Sequence, residues 1–297
     1  MKKAIRFSIA VCLFSWAVFG ILYAVTGGTL KDHGILFGIM CIIYMVFPLL
    51  TALFLQWKDG EKPSGTGLIA FRPRWSWLAG TVIPLVMLPL IMLFSALVPG
   101  TSFAYSPEHL ISMFGMEGAD AETIRAQFES VPAIGVIAGG LLSGIFAGLT
   151  INAVFAFGEE YGWRNYMVHA LKGESFIKAA LTIGIVWGIW HAPLILMGHN
   201  YPQHPVAGVP MMVIFCILVG FIELYLVKKT GSVYPAAIFH GTINAIFGFT
   251  MYFIQGGNDL TTGSTGAAGF VAIAVTCLAI FIYDRYISKD HIISSAI

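Results

Sequence analysis

The sequence predicts an all-α, polytopic integral membrane protein of about eight transmembrane helices, and three observations carry that prediction. Apolar residues fill 58% of the 297 positions and charged residues only 10%, with a mean hydropathy of +0.83, whereas soluble domains are roughly 25% charged. Eight stretches approach the ~20 apolar residues needed to cross a hydrocarbon core of ~30 Å. The basic residues segregate to alternate connections between those stretches.

In chain order the stretches are 7–26, 35–55, 75–98, 133–158, 177–197, 209–227, 236–253 and 267–283. The first follows Met1-Lys2-Lys3 and Arg6 like a signal peptide, but its apolar run is too long for an h-region and lacks a small-x-small cleavage site, so it reads as a retained helix. Connection 56–74 mixes Gly, Pro and charges, and 254–266 is rich in Gly and Thr. Connection 99–132 is acidic and holds two helix starts, Ser106-Pro107-Glu108, with a capping serine and a proline at the first helical position, and Asp120-Ala121-Glu122. None of these resembles a second domain, so 1–297 reads as a single membrane domain. If the spans alternate, Lys2, Lys3, Arg6, Lys58, Lys62, Arg72, Arg74, Arg164, Lys172, Lys178, Lys228, Lys229, Arg285 and Lys289 share one side and only Lys31 and Arg125 the other. That asymmetry puts both termini in the cytoplasm, and the short basic start suggests a prokaryotic cell membrane.

A formal charge of +1 leaves no basic surface for nucleic acid; the bilayer is the expected surroundings. Cys12, Cys41, Cys216 and Cys277 lie in separate apolar stretches without Cys-x-x-Cys spacing and read as small buried hydrophobes. Serine, aspartyl and zinc intramembrane protease signatures (Gly-x-Ser-Gly, Gly-x-Gly-Asp, His-Glu-x-x-His) are absent from the sequence. It also has no internal repeat of the kind that builds inverted-repeat transporters.

An ionisable group at membrane depth costs ~2.5 to 3.5 kcal/mol and needs a partner or a task. Glu159, Glu160 and Arg164 end the fourth stretch, His191 lies in the fifth, Glu223 in the sixth, and His240 with Asn244 in the seventh. Segment 157–167 contains no proline, so the fourth helix can continue to about Leu171 and turn at Lys172-Gly173-Glu174-Ser175. An antiparallel hairpin there sets Glu159 opposite Gly188, within one helical turn of His191. Glycines 140, 144 and 148 and glycines 184 and 188 form small-residue stripes that allow close approach of these helices. His240 and Asn244, four residues apart, share one helical face. Carboxylates, an approaching histidine and a pair of donors are the parts needed to activate a water and stabilise a tetrahedral oxyanion in amide hydrolysis.

Glu159-Glu160-Tyr161-Gly162-Trp163-Arg164, Trp187-Gly188-Ile189-Trp190-His191 and His240-Gly241-Thr242-Ile243-Asn244, on separate helices, resemble the CAAX protease and bacteriocin-processing family, also called the Abi or type II CAAX prenyl endopeptidase family. The resemblance covers 133–253, the family-like catalytic core, and departs at Trp187, where the family usually has Phe. It implies an intramembrane endopeptidase cutting a membrane-associated peptide or protein, CAAX-type or peptide-precursor, with its site toward the cytoplasm. Glu159 would polarise a water with His191, His240 and Asn244 would form the oxyanion hole, and Glu160 with Arg164 and Trp187 would support them. No cofactor is favoured. Zinc is the alternative, and its ligands would be Glu159, Glu160, His191 and His240.

Plainer readings stand beside these. Glu159, Glu160 and Arg164 alone fit an interfacial ion-pair cluster, His191 could satisfy carbonyls freed near Pro193, and His240 and Asn244 could be interhelical glue. Glu223 reads as pairing with Lys228 or Lys229 near the interface, and His199 and His204 as solvated loop residues. A non-catalytic peptide-binding or bacteriocin-immunity protein is the second functional reading, and a proton-coupled transporter the third.

Overall fold

The computed structural model describes residues 1–28, 34–114 and 117–297; Lys31 lies outside them. Among the described residues it is helical almost throughout, and its strands are the two-residue pair Ser102–Phe103 and Ile254–Gln255. The helices are α1 (Lys2–Val25), α2 (Gly34–Tyr44), α3 (Phe47–Lys58), α4 (Ala79–Ala96), α5 (Pro107–Phe114), α6 (Gly118–Ser130), α7 (Ala133–Leu149), α8 (Ile151–Glu160), α9 (Met167–Ala170), α10 (Phe176–Trp190), α11 (Ala192–Leu196), α12 (Pro205–Thr230), α13 (Tyr234–Ile246) and α14 (Ala267–Ile282).

The all-α membrane architecture read from composition is the one observed. Among the described residues, five helices or helix pairs are long and apolar enough to cross a membrane, or six if the pair α6–α7, bent by 103°, counts as one span. The expected eight uninterrupted spans are therefore not all present. Stretch 35–55 breaks between Tyr44 and Phe47, and stretches 133–158, 177–197 and 236–253 break at Thr150, at His191 and into a 3₁₀ turn at Phe247–Tyr252. The last three carry the polar motifs. They can break because neighbouring helices satisfy the freed backbone groups: the Trp190 carbonyl, next to the break before Pro193, accepts from Tyr44 Oη at 2.8 Å and Trp16 Nε1 at 3.0 Å.

The outer helices show lipid-facing patterning. In α1, Ala4, Phe7, Val11 and Ser15 are buried while Ile5, Ile9 and Leu13 are exposed, so an apolar helix presents one face to the bundle and one to acyl chains. The first of the two short helices starts as expected, with the His109 N–H donating to Ser106 Oγ at 3.3 Å, whereas the second begins at Gly118, two residues before Asp120.

The bundle has two distinct ends. At one, the N-terminal amine donates to the Ala170 carbonyl, Gly173 N–H donates to Ile297, Lys3 pairs with Glu61, Arg6 with Asp59 and Lys229 with Asp290. At the other, Ser102 pairs with Gln255, Tyr201 donates to the Thr265 carbonyl at 2.7 Å, and Asp259 holds His204.

The hairpin expected at 172–175 is present. Helix continues from α8 through a π-helical segment, Tyr161–Tyr166, into α9, and Ser175 caps α10 by accepting from Lys178 N at 3.3 Å. The glycine stripes serve other partners than expected. Cβ atoms at Gly184 and Gly188 would strike Ile217 and Val213 of α12, and those at Gly144 and Gly148 would strike Ile246 and Thr242 of α13. The small residues thus seat α12 and α13 against the hairpin and do not bring its two arms together.

Candidate active site

Glu159 ends α8, where the chain enters the π-helical segment, a form common at functional sites because it re-aims side chains within a helix. Its Oε2 accepts from Trp187 Nε1 at 2.7 Å across the hairpin. Trp187, the departure from the family's Phe, therefore gives the carboxylate a donor that Phe would lack. The backbone carbonyl of Trp187 lies 2.8 Å from His191 Nδ1. Since a carbonyl only accepts, His191 carries its proton on Nδ1 and leaves the Nε2 lone pair free. This contact also fulfils the plainer reading of His191 as a residue that satisfies a carbonyl.

Behind this pair lies a buried ionic network. Glu160, Arg164 and Glu223 are each 0% exposed. Arg164 Nη1 is 3.1 Å from Glu160 Oε1, and Nη2 pairs with Glu223 Oε2. The guanidinium stacks on the Trp187 ring at 4.3 Å. His240 Nδ1 lies 2.9 Å from the same Glu160 oxygen. Glu223 does not reach Lys228 or Lys229 at the interface, as expected of it, and belongs to this network. It lies on the face of α12 that carries Gly220, against which Arg164 packs. A legible signal existed: Arg164 presents a two-pronged donor, and Glu160 alone fills one side of it. Arg164 is likewise buried and does not sit on the basic surface assigned to it from sequence, though the charge asymmetry survives its removal.

Glu159, Trp187, His191, Cys216, His240 and Asn244 all line one cavity of about 1000 Å³. Asn244 is exposed within it, one turn from His240 on α13. Cys216 Sγ is 3.8 Å from His191 Nδ1, placing this apolar residue on the cavity wall.

The expected zinc ligands do not converge as a set. Among the described residues the donors within 4.8 Å of one another are those of Glu160, Glu223 and His240. Arg164 already joins both of these carboxylates, so a divalent cation would sit against a buried guanidinium. The guanidinium there disfavours a second cation on the same carboxylates.

The expectation that the site opens toward the cytoplasm conflicts with the expectation that the termini lie there. The cavity is also lined by Gly198 to Asn200, by Pro202 and Gln203, and by 256–259 and 262–265. These belong to the end opposite residues 1–6 and 290–297. Glu159 is eleven residues from Ala170, or ~16 Å of helix at 1.5 Å per residue, so it lies deep in the bundle and far from the hairpin turn.

Residues 137–246 match the family model described as type II CAAX prenyl endopeptidase Rce1-like. The chain is also 25% identical over 190 residues to CAAX prenyl protease 2 of Methanococcus maripaludis, an alignment covering 55% of this chain and 69% of that protein. The matched segment begins within α7 and ends with α13, enclosing all three motifs and the network behind them. By these similarities and the motifs they enclose, residues 137–246 resemble the Rce1-like type II CAAX prenyl endopeptidase family.

Proposed function

We propose that this protein is an intramembrane endopeptidase that hydrolyses a peptide bond of a membrane-associated peptide or protein, with Glu159 as the general base. One observation carries the reading: Glu159 is held at one oxygen by the Trp187 indole and borders a cavity shared with His191, His240 and Asn244. The descriptions of the matching family model and of the similar archaeal protein, both of CAAX prenyl proteolysis, support the same chemistry.

In this mechanism Glu159 takes a proton from a water that also donates to His191 Nε2, and the water oxygen attacks the scissile carbonyl carbon. The resulting oxyanion is stabilised by Asn244 and by His240, which donates to Glu160 through Nδ1 and faces substrate through Nε2. Arg164 pairs with Glu160 and Glu223 and His240 lies against Glu160, whereas among the described residues Glu159 has no cation paired with it. Collapse of the intermediate breaks the C–N bond, and the proton held by Glu159 passes to the departing amine. Water and peptide become a carboxylic acid and an amine, which leave as carboxylate and ammonium after proton exchange, with no further reactant.

The test compares purified wild type with Glu159→Gln. The substitution keeps size and burial but removes the base, so cleavage should vanish while thermal stability in detergent stays close to wild type. Asn244→Ala should lower turnover by roughly 10² to 10³, the usual cost of one oxyanion donor. Wild-type turnover by Glu159→Gln would refute the glutamate mechanism. The membrane peptides released by wild-type cells but not by Glu159→Ala cells would identify the substrate.

A further inference from the structure

We infer that the cavity opens on the extracytoplasmic face, so that its substrate is a peptide segment presented from outside the cytoplasm. The inference rests on the proposed function only for the word substrate; the orientation stands on three independent observations.

The first is where the cavity leads. From Glu159, His191 and His240 it extends to Asn200, Pro202, Gln203, Gly256 and Gly257, all exposed, at the end of the bundle opposite residues 1–6 and 290–297.

The second is that the other end is closed. The π-helical segment below Glu159 is buried from Tyr161 to Tyr166. Phe7 packs on Trp163 and Tyr166 at 5.4 and 5.0 Å, Tyr161 donates to Gln56 Oε1 at 2.9 Å, and Thr66 donates to Asn165 Oδ1. The Arg164, Glu160 and Glu223 network fills the space behind them. A peptide coming from the hairpin end would have to displace this aromatic and ionic floor, which the open end does not demand.

The third is charge. The closed end carries Lys2, Lys3, Arg6, Lys58, Lys62, Arg72, Arg74, Lys172, Lys178, Lys228, Lys229, Arg285 and Lys289. Connection 99–132, at the open end, holds five carboxylates and one arginine, and that arginine pairs with Glu108 and Glu122. Lys and Arg enrichment in short connections marks the cytoplasmic side. The closed end therefore faces the cytoplasm and the mouth faces away from it.

Two engineered thiols decide the orientation in intact cells with a membrane-impermeant maleimide, with the four native cysteines as background. Gly248 lies exposed on the cavity wall, and a Cβ added there meets nothing within 4 Å, so Gly248→Cys should fold. Gln203→Cys, on another part of the rim, guards against failure of the first variant. Ser64→Cys is exposed at the closed end. Gly248→Cys and Gln203→Cys should react in intact cells, and Ser64→Cys only after lysis. The reverse pattern overturns the inference. As a second arm, cut sites in peptides released by wild-type but not by Glu159→Gln cells should map to extracytoplasmic segments of their parent proteins; cut sites in cytoplasmic segments would also overturn it. If Glu159→Gln releases the same peptides as wild type, the proposed mechanism fails while the labelling result still decides the orientation.

Discussion

Glu223 and Arg164 show how much a single buried ion can depend on residues distant in sequence. Arg164 is bonded to Glu160, one helical turn away, and to Glu223, on another helix. Removing one member of such a network strands a charge at membrane depth, at ~3 to 5 kcal/mol for a fully orphaned partner. Glu223→Leu should therefore lower the melting temperature in detergent strongly. Glu223→Gln, which keeps an acceptor for Nη2, should recover part of that loss. Equal stability of the leucine variant and wild type would show that Glu223 contributes no binding to Arg164. The two i,i+4 partners, Glu160 and Arg164, were legible from spacing; the third required knowing that α12 lies against the hairpin.

At the scale of elements, the glycines of α10 determine how closely α12 can approach. A Cβ at Gly184 would lie 2.6 Å from Ile217 Cα, a backbone atom that cannot rotate aside. Gly184→Ala should therefore push α12 outward and cost ~1 to 3 kcal/mol, the usual range for overpacking. It should also lower turnover, because α12 carries Glu223 and Cys216; thermal unfolding and a cleavage assay on the same preparation check both. Gly139, which faces open space, supplies the control, since Gly139→Ala should leave stability and turnover near wild type. The stripes were visible as sequence spacing. Which helix each would receive was not, because Gly-x-x-x-Gly spacing states that a close partner exists without naming it.

Across the whole molecule, the mouth of the cavity is held by contacts between two loops. Asp259 accepts from the backbone N–H groups of Gln203 and His204 at 2.7 and 3.2 Å and from the His204 ring at 2.6 Å, joining the two loops that line the opening. Beside them, His199 is half-buried with its ring 6.1 Å from that of Phe37, and burial holds its pKa below the usual value. A lowered folded-state value means the unfolded chain binds the proton more readily, so stability is full above the ordinary histidine range and falls as pH drops through it. The melting temperature should fall on acidification through the pH 6 region, and His199→Phe should flatten that part of the profile. An unchanged slope in the variant would remove His199 as its source.

The sequence by itself determined the helical membrane class, the side on which the basic residues gather, the hairpin at 172–175 and the three motifs, because each is written in composition or in spacing along one helix. The depth of Glu159 against Trp187 and His191 also followed from the sequence, since antiparallel arms count residues equally from their turn. Only the tertiary structure decided that four of the stretches are interrupted, that Glu223 completes the Arg164 network, that the glycine stripes receive α12 and α13, and that the cavity opens opposite the basic end. The physical reason is common to all four. Each depends on which helices are neighbours, and in an apolar chain almost every helix has a face able to pack on almost any other, so hydropathy and spacing leave the choice of neighbour open.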